Sequence, residues 1–145
     1  MNTLSNIDII KILRNYGITI NGVFSKDLLP NVFQKGWYII NLENHNKGDG
    51  THWTCFCIND LGNQYWDSFG FDCPEHLQQV LKPYEFNNRE IQNLDSSACG
   101  YFCIALIKFV ESNKHTTTIH NLVKRFSNSF SKNTSLNDGI LFNFL

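Results

Sequence analysis

The sequence predicts an α+β fold: a small central sheet, mostly antiparallel, flanked by helices, with one helix buried in the middle. Three observations predict it. Between positions 36 and 68, short runs of aromatic and β-branched residues are separated by turn signals. From Cys99 onward the pattern turns helical, with Phe102, Ala105, Leu106, Phe109 and Val110 recurring at three- and four-residue steps. Amphipathic segments stand at both ends of the chain.

In order, Ser5 to Tyr16 carries Ile7, Ile10, Ile12 and Leu13 between polar residues and is followed by Gly17, the pattern of a short helix with a glycine stop. Ile18 to Phe24 reads as a strand, and Lys26 to Pro30 as a turn or short helix. Gly36 to Leu42 is a candidate buried strand, and Glu43 to Gly50 a polar loop. Trp53 to Ile58 alternates Trp53, Cys55 and Cys57 on one face with Thr54, Phe56 and Ile58 on the other. The turn signal Asn59 to Asn63 then leads into a strand over Gln64 to Ser68, so a hairpin is the natural connection. Pro74 to Leu81 suits a helix with proline in its first turn. Tyr84 to Ile91 suits a further strand, and Gln92 to Ala98 a loop of small and polar residues. After the helix from Cys99, Thr118 to Phe130 offers a second amphipathic helix through Ile119, Leu122, Val123 and Phe126, and Leu136 to Leu145 a last short one. No repeat or linker divides the chain, and one domain over residues 1–145 is expected.

Composition narrows the function classes. With 42% hydrophobic and 14% aromatic residues the chain can fill a core. A net charge of −1 does not by itself imply a strong grip on nucleic acid, which needs a clustered Lys/Arg surface. No apolar run approaches the roughly 20 residues a membrane span needs, and the first residues lack the pattern of a secretory signal. The five cysteines, Cys55, Cys57, Cys73, Cys99 and Cys103, form no Cys-x-x-Cys pair. That argues against structural zinc and against a disulfide scaffold, and for free thiols in a reducing compartment. No metal or other cofactor is expected.

An ordered set of His52, Asp67, Gln92 and Cys99 carries the chemistry. Amide hydrolysis by a thiol needs a nucleophile, an imidazole to manage the proton, a carboxylate to orient the imidazole, and a donor for the oxyanion. Cys99 sits where Ser96-Ser97-Ala98 meets an apolar helix. A helix N-terminus favours thiolate, although an inert buried cysteine is an equally common outcome. Cys103, one turn on and on the same face, reads as structural. His52 opens a strand in an ordered apolar context and is the best candidate base, a satisfied core histidine being the alternative, whereas His45, His76, His115 and His120 lie in polar segments and read as exposed. Asp67, among aromatics, needs a partner, and His52 is the obvious one; a strand-end turn cap is the alternative. Gln92 could pair its amide N–H with the Cys99 backbone N–H, although a loop glutamine is commonly solvated surface. Gly50, Thr51 and Trp53 around His52, and Gly100 beside Cys99, are candidate substrate contacts, Gly100 because it admits a substrate backbone closely.

At these residues the chain resembles the adenovirus endopeptidase (adenain) family of cysteine proteases and, more loosely, the ubiquitin-like-protein proteases of the same clan. The blocks that carry the resemblance are Gly50-Thr51-His52-Trp53, Trp66-Asp67-Ser68-Phe69-Gly70-Phe71, and Gln92 through Cys103 with Ser97-Ala98-Cys99-Gly100. Ile9 to Pro30 also looks similar to the family's opening segment. The resemblance implies Cys99 as nucleophile, His52 as base, Asp67 as orienting acid and Gln92 as oxyanion donor. It implies cleavage of viral capsid or core precursors near small residues such as glycine, in virions and infected cells; a monomer is expected. It also keeps open removal of ubiquitin-like modifiers, and a silent binding domain on the same fold. Leu81 to Ile91 contains no cysteine where the family's activating peptide is disulfide-linked, so an activating peptide here would bind without that link. DNA stimulation, a family trait of basic proteins, is not expected at this charge.

Overall fold

The computed structural model describes residues 1–43 and 52–145. Its strands are β1 (Gly22–Ser25), β2 (Gly36–Asn41), β3 (Trp53–Ile58), β4 (Asn63–Trp66) and β5 (Tyr84–Phe86). Its helices are α1 (Asn6–Asn15), α2 (Glu75–Leu81), α3 (Cys99–Asn113), α4 (Ile119–Asn128) and α5 (Asn137–Leu141). The architecture is α+β, as the patterning predicts. The five strands form one sheet in the order β1-β2-β3-β4-β5. The middle three are antiparallel, while each edge strand joins parallel, so the sheet is mixed rather than mostly antiparallel. The parallel edges follow from the connections. β4 reaches β5 through α2, a crossover, and only β3 to β4 is a tight hairpin.

Side-chain alternation along β2, β3 and β4 builds a core on each face of the sheet. Trp37, Ile39, Trp53, Cys55, Cys57 and Trp66 face α1, α3 and α4. Tyr38, Ile40, Phe56 and Tyr65 face Leu77 and Leu81 of α2. In that second core Tyr38 stacks on Phe56 with ring centroids 5.0 Å apart, and Phe33 closes edge-on over both. Nine of the fifteen residues of α3 are buried, which is why its apolar residues wrap the helix instead of forming one stripe. Its first turn is thereby fixed against the sheet.

Local chemistry sets the ends of α1. The Ser5 hydroxyl accepts from the Asp8 N–H, the Asp8 carboxylate accepts from the Ser5 N–H, and Gly17 leaves the helix at φ 71°. Two expected strands are shorter than the apolar pattern suggests. Ile18 and Ile20 pack against the core, but the Ile18 N–H bonds back to Leu13, so the ladder begins only at Gly22. Beyond Phe86 the chain leaves the sheet, because Asn87 donates to the Asp67 carbonyl and the Arg89 guanidinium caps the end of α4 through the carbonyls of Ser127 and Phe130. The loop after β4 then meets residues 89–92 closely. Gly70 has φ +82°, and a Cβ there would lie 2.7 Å from the Arg89 carbonyl group, so glycine is required. No helix of the described residues is long and apolar enough to cross a membrane.

Candidate active site

Cys99 is the first residue of α3, and the first intrahelical bond runs from the Phe102 N–H to the Ala98 carbonyl. The N–H groups of the opening turn therefore have no acceptor within the helix. The Cys99 sulfur accepts from the Trp53 N–H at 3.4 Å, which ties the helix start to the start of β3, one residue from His52.

His52 and Asp67 meet across the sheet. The His52 Nε2 lies 2.9 Å from Asp67 Oδ1, and the Asp67 side chain is almost fully buried. The same oxygen accepts from the Phe69 N–H at 2.8 Å, a second hold on the carboxylate beside the histidine. The Phe69 ring lies over the imidazole at 4.8 Å between centroids. With Nε2 committed, Nδ1 is the nitrogen left for the thiol. It is buried and has no aligned hydrogen-bond partner among the described residues, so it is free to face the thiol. Burial is the largest influence on the ring and disfavours its charge. The hydrogen bond to Asp67 and the neighbouring Cys99 thiol outweigh it and raise the His52 pKa from 6.5 to about 9. The sulfur is thus close enough to act on the ring's charge without forming a fully aligned bond, a common looseness before substrate binds.

Gln92 is buried, not a solvated loop residue. Its Oε1 accepts from the Ser68 hydroxyl at 2.5 Å, and its Nε2 donates to the Ser96 carbonyl at 2.9 Å. The N–H groups of Ile91 and Gln92 both bond to the Ser68 carbonyl. Ser68 therefore grips Gln92 by backbone and side chain at once, a role that sequence reading missed; its place directly after Asp67 is the available signal. The bond to Ser96 uses one Nε2 hydrogen and leaves the other uncommitted among the described residues. Replacing Gln92 with alanine should lower kcat by about 10²–10³, the usual loss for one oxyanion donor, with the KM of a cleaved peptide little changed in steady-state kinetics.

The remaining expectations divide. Gly50, Thr51 and His45 lie outside the described residues. Trp53 is buried, and its indole Nε1 donates to the Leu4 carbonyl at 2.8 Å. Gly100 is buried too, and a Cβ there would meet Leu4 and Trp53 at 3.2–3.4 Å. The close approach that Gly100 permits in this structure is that of the chain's own N-terminal segment. His76 and His115 are exposed, but His120 is not. It is mostly buried, with Nδ1 2.6 Å from the Gln64 Oε1 and 3.1 Å from a Glu85 oxygen, because α4 lies across the β4–β5 edge.

All five cysteines are free. Burial pushes the Cys57 and Cys73 thiols up to about 12 and raises Cys103 well above its ordinary range. These three are poor nucleophiles near neutrality. Cys103 faces the Trp53 carbonyl at 3.6 Å. Cys103→Ser should keep most of the peptide-cleaving activity, with its cost read as a lower Tm, since a hydroxyl replaces a thiol in a packed core.

A scan of the chain against protein-family models matches none, and a search of the curated proteins finds no match. Among the described residues no cluster of His, Cys, Asp and Glu is arranged to hold a metal ion. The described site thus offers a thiol, an imidazole with one free nitrogen, a buried carboxylate and an oriented amide.

Proposed function

We propose that the chain is a cysteine endopeptidase, virus-encoded, which cuts capsid or core precursor proteins near small residues such as glycine. The observation that carries this reading is the His52–Asp67 contact of 2.9 Å, made through Nε2, beside a thiol at the start of α3. Only a ring held by its far nitrogen leaves Nδ1 to serve the sulfur.

In the proposed reaction, Nδ1 holds the Cys99 proton in a thiolate–imidazolium pair, and the sulfur attacks the scissile carbonyl, forming a C–S bond. The negative charge moves to the carbonyl oxygen, where the free Gln92 N–H and the Cys99 backbone N–H receive it. As the C–N bond breaks, His52 returns its proton to the leaving amine. Water, deprotonated by His52, then hydrolyses the thioester and frees the sulfur. Asp67 stabilises the imidazolium throughout. The ordered set of motifs and their likeness to adenovirus endopeptidases support the substrate class.

The test is incubation with capsid precursors encoded in the same genome and, beside them, a proteome-derived peptide library, with new termini read by mass spectrometry. New termini flanked by glycine, absent when Cys99 is alkylated, are the expected result. Cleavage confined to ubiquitin-like conjugates would replace the substrate class. No cleavage of any substrate would leave a binding domain.

A further inference from the structure

We propose that the C-terminal segment is a working part of this site: Asp138 of α5 holds Ser96, and Ser96 holds the Gln92 amide in its donor orientation. The inference rests on the reading of Gln92 as oxyanion donor and assigns a positioning role to residues that no motif marks.

The orientation of a glutamine amide is decided by its partners. The Ser96 carbonyl can only accept, so the Gln92 nitrogen must face it, at 2.9 Å. Oε1 then faces Ser68, whose hydroxyl must donate. Ser96 is in turn fixed by its side chain. Its hydroxyl donates to the Asp138 carboxylate, with oxygens at 2.8 and 2.9 Å, and accepts from the Ala98 N–H at 3.1 Å. Ala98 is the N-cap residue of α3 and has no side-chain cap of its own. One carboxylate therefore bears on both proposed oxyanion donors: on Gln92 through the Ser96 carbonyl, and on the Cys99 N–H through the turn that starts α3.

The neighbouring residue of α5 adds a second anchor. Asn137 is fully buried, and its Nδ2 donates to the Ile91 carbonyl at 2.7 Å, one residue before Gln92. A third contact joins the Asn93 amide to the Thr134 hydroxyl at 3.0 Å. Residues 91–98 belong to no sheet or helix ladder except at their end, and Leu94 in their middle is 76% exposed. The loop that carries the donor is thus held on one side by Ser68 and on the other by residues 134–138.

The experiment compares Asp138→Ala, Asp138→Asn and Gln92→Ala, singly and with Asp138→Ala combined with Gln92→Ala, on a peptide that the wild-type full chain cleaves. Misplacing an oxyanion donor should lower kcat by roughly 10²-fold, with KM nearly constant. Alkylation of Cys99 by iodoacetamide should be unchanged, because displacing iodide develops no oxyanion. Asp138→Asn, which still accepts from Ser96, should recover most of the loss. Asp138→Ala should cost far less once Gln92 is alanine, with only the share carried through the Cys99 N–H remaining. The inference is overturned if Asp138→Ala keeps the wild-type kcat, if its loss multiplies with that of Gln92→Ala, or if alkylation and Tm fall in parallel with cleavage. A wild-type chain that cleaves no peptide overturns the protease reading itself, a result distinct from these three.

Discussion

Cys99→Ala is expected to abolish peptide cleavage while the protein stays folded. In the proposed reaction the Cys99 sulfur forms the bond with the substrate, and loss of the nucleophile in a hydrolase of this type lowers kcat by about 10⁶. The fold should tolerate the change. One small atom leaves the start of α3, and the Trp53 N–H loses one weak acceptor, a cost of about 1 kcal/mol. Circular dichroism and Tm establish the fold, and a discontinuous peptide assay reads the rate. Activity near wild type in this variant would remove the mechanism, because burial makes Cys57, Cys73 and Cys103 poor substitutes.

Asp67→Ala should lower kcat by about 10⁴, the scale on which a hydrolase loses rate when the acid behind its histidine is removed. Two functions go together. The imidazole loses the partner that fixes Nε2, and the imidazolium loses its counter-charge in a buried site. Asp67→Asn separates them, since Oδ1 can still accept from Phe69 and His52. Its signature is a pH profile. His52 must carry a proton to release the amine, so the alkaline limb of kcat/KM belongs near pH 9 in the wild type. Without the carboxylate charge, burial is less opposed and the ring pKa falls, so the limb moves to lower pH. Stability follows the same sign. Folding raises the His52 pKa above its ordinary 6.5, so its proton-linked stabilisation is complete below about 6.5 and is lost as pH rises through 9. Asp67→Asn should flatten that dependence in Tm measured across the same range. An alkaline limb that stays near pH 9 in Asp67→Asn would show that the carboxylate does not govern the ring.

What the sequence makes legible is what local physics determines. α1 shows in its apolar spacing and Gly17, although the face that packs is that of Ile9 and Leu13 and Ile7 is exposed; β2 and β3 show in dense apolar alternation; and α3 shows in its helical period. His52, Asp67, Gln92 and Cys99 stand out in the sequence because thiol-based amide hydrolysis would need those residue types in one place. Other features depend on contacts far apart in the chain. Ile18 and Ile20 look like strand because packing against a core and pairing in a sheet select the same residues. Tyr84 to Ile91 shortens to three paired residues because Arg89 serves the end of α4, some 40 positions downstream. His120 sits in a polar segment, yet Gln64 and Glu85 meet it from the sheet. Asp138 reaches Ser96 over 42 positions through a bond between two common polar side chains, which no spacing rule marks.

The account stands on one coupling, that of the Cys99 sulfur to the His52 ring. The direct measurement is the rate of iodoacetamide alkylation at each cysteine, read by peptide mass spectrometry at pH 7 in wild type and in His52→Ala. The account predicts that Cys99 reacts well ahead of Cys57, Cys73 and Cys103 in the wild type, and that His52→Ala slows Cys99 alone. A Cys99 that reacts no faster than those three, or at the same rate without the imidazole, would contradict it.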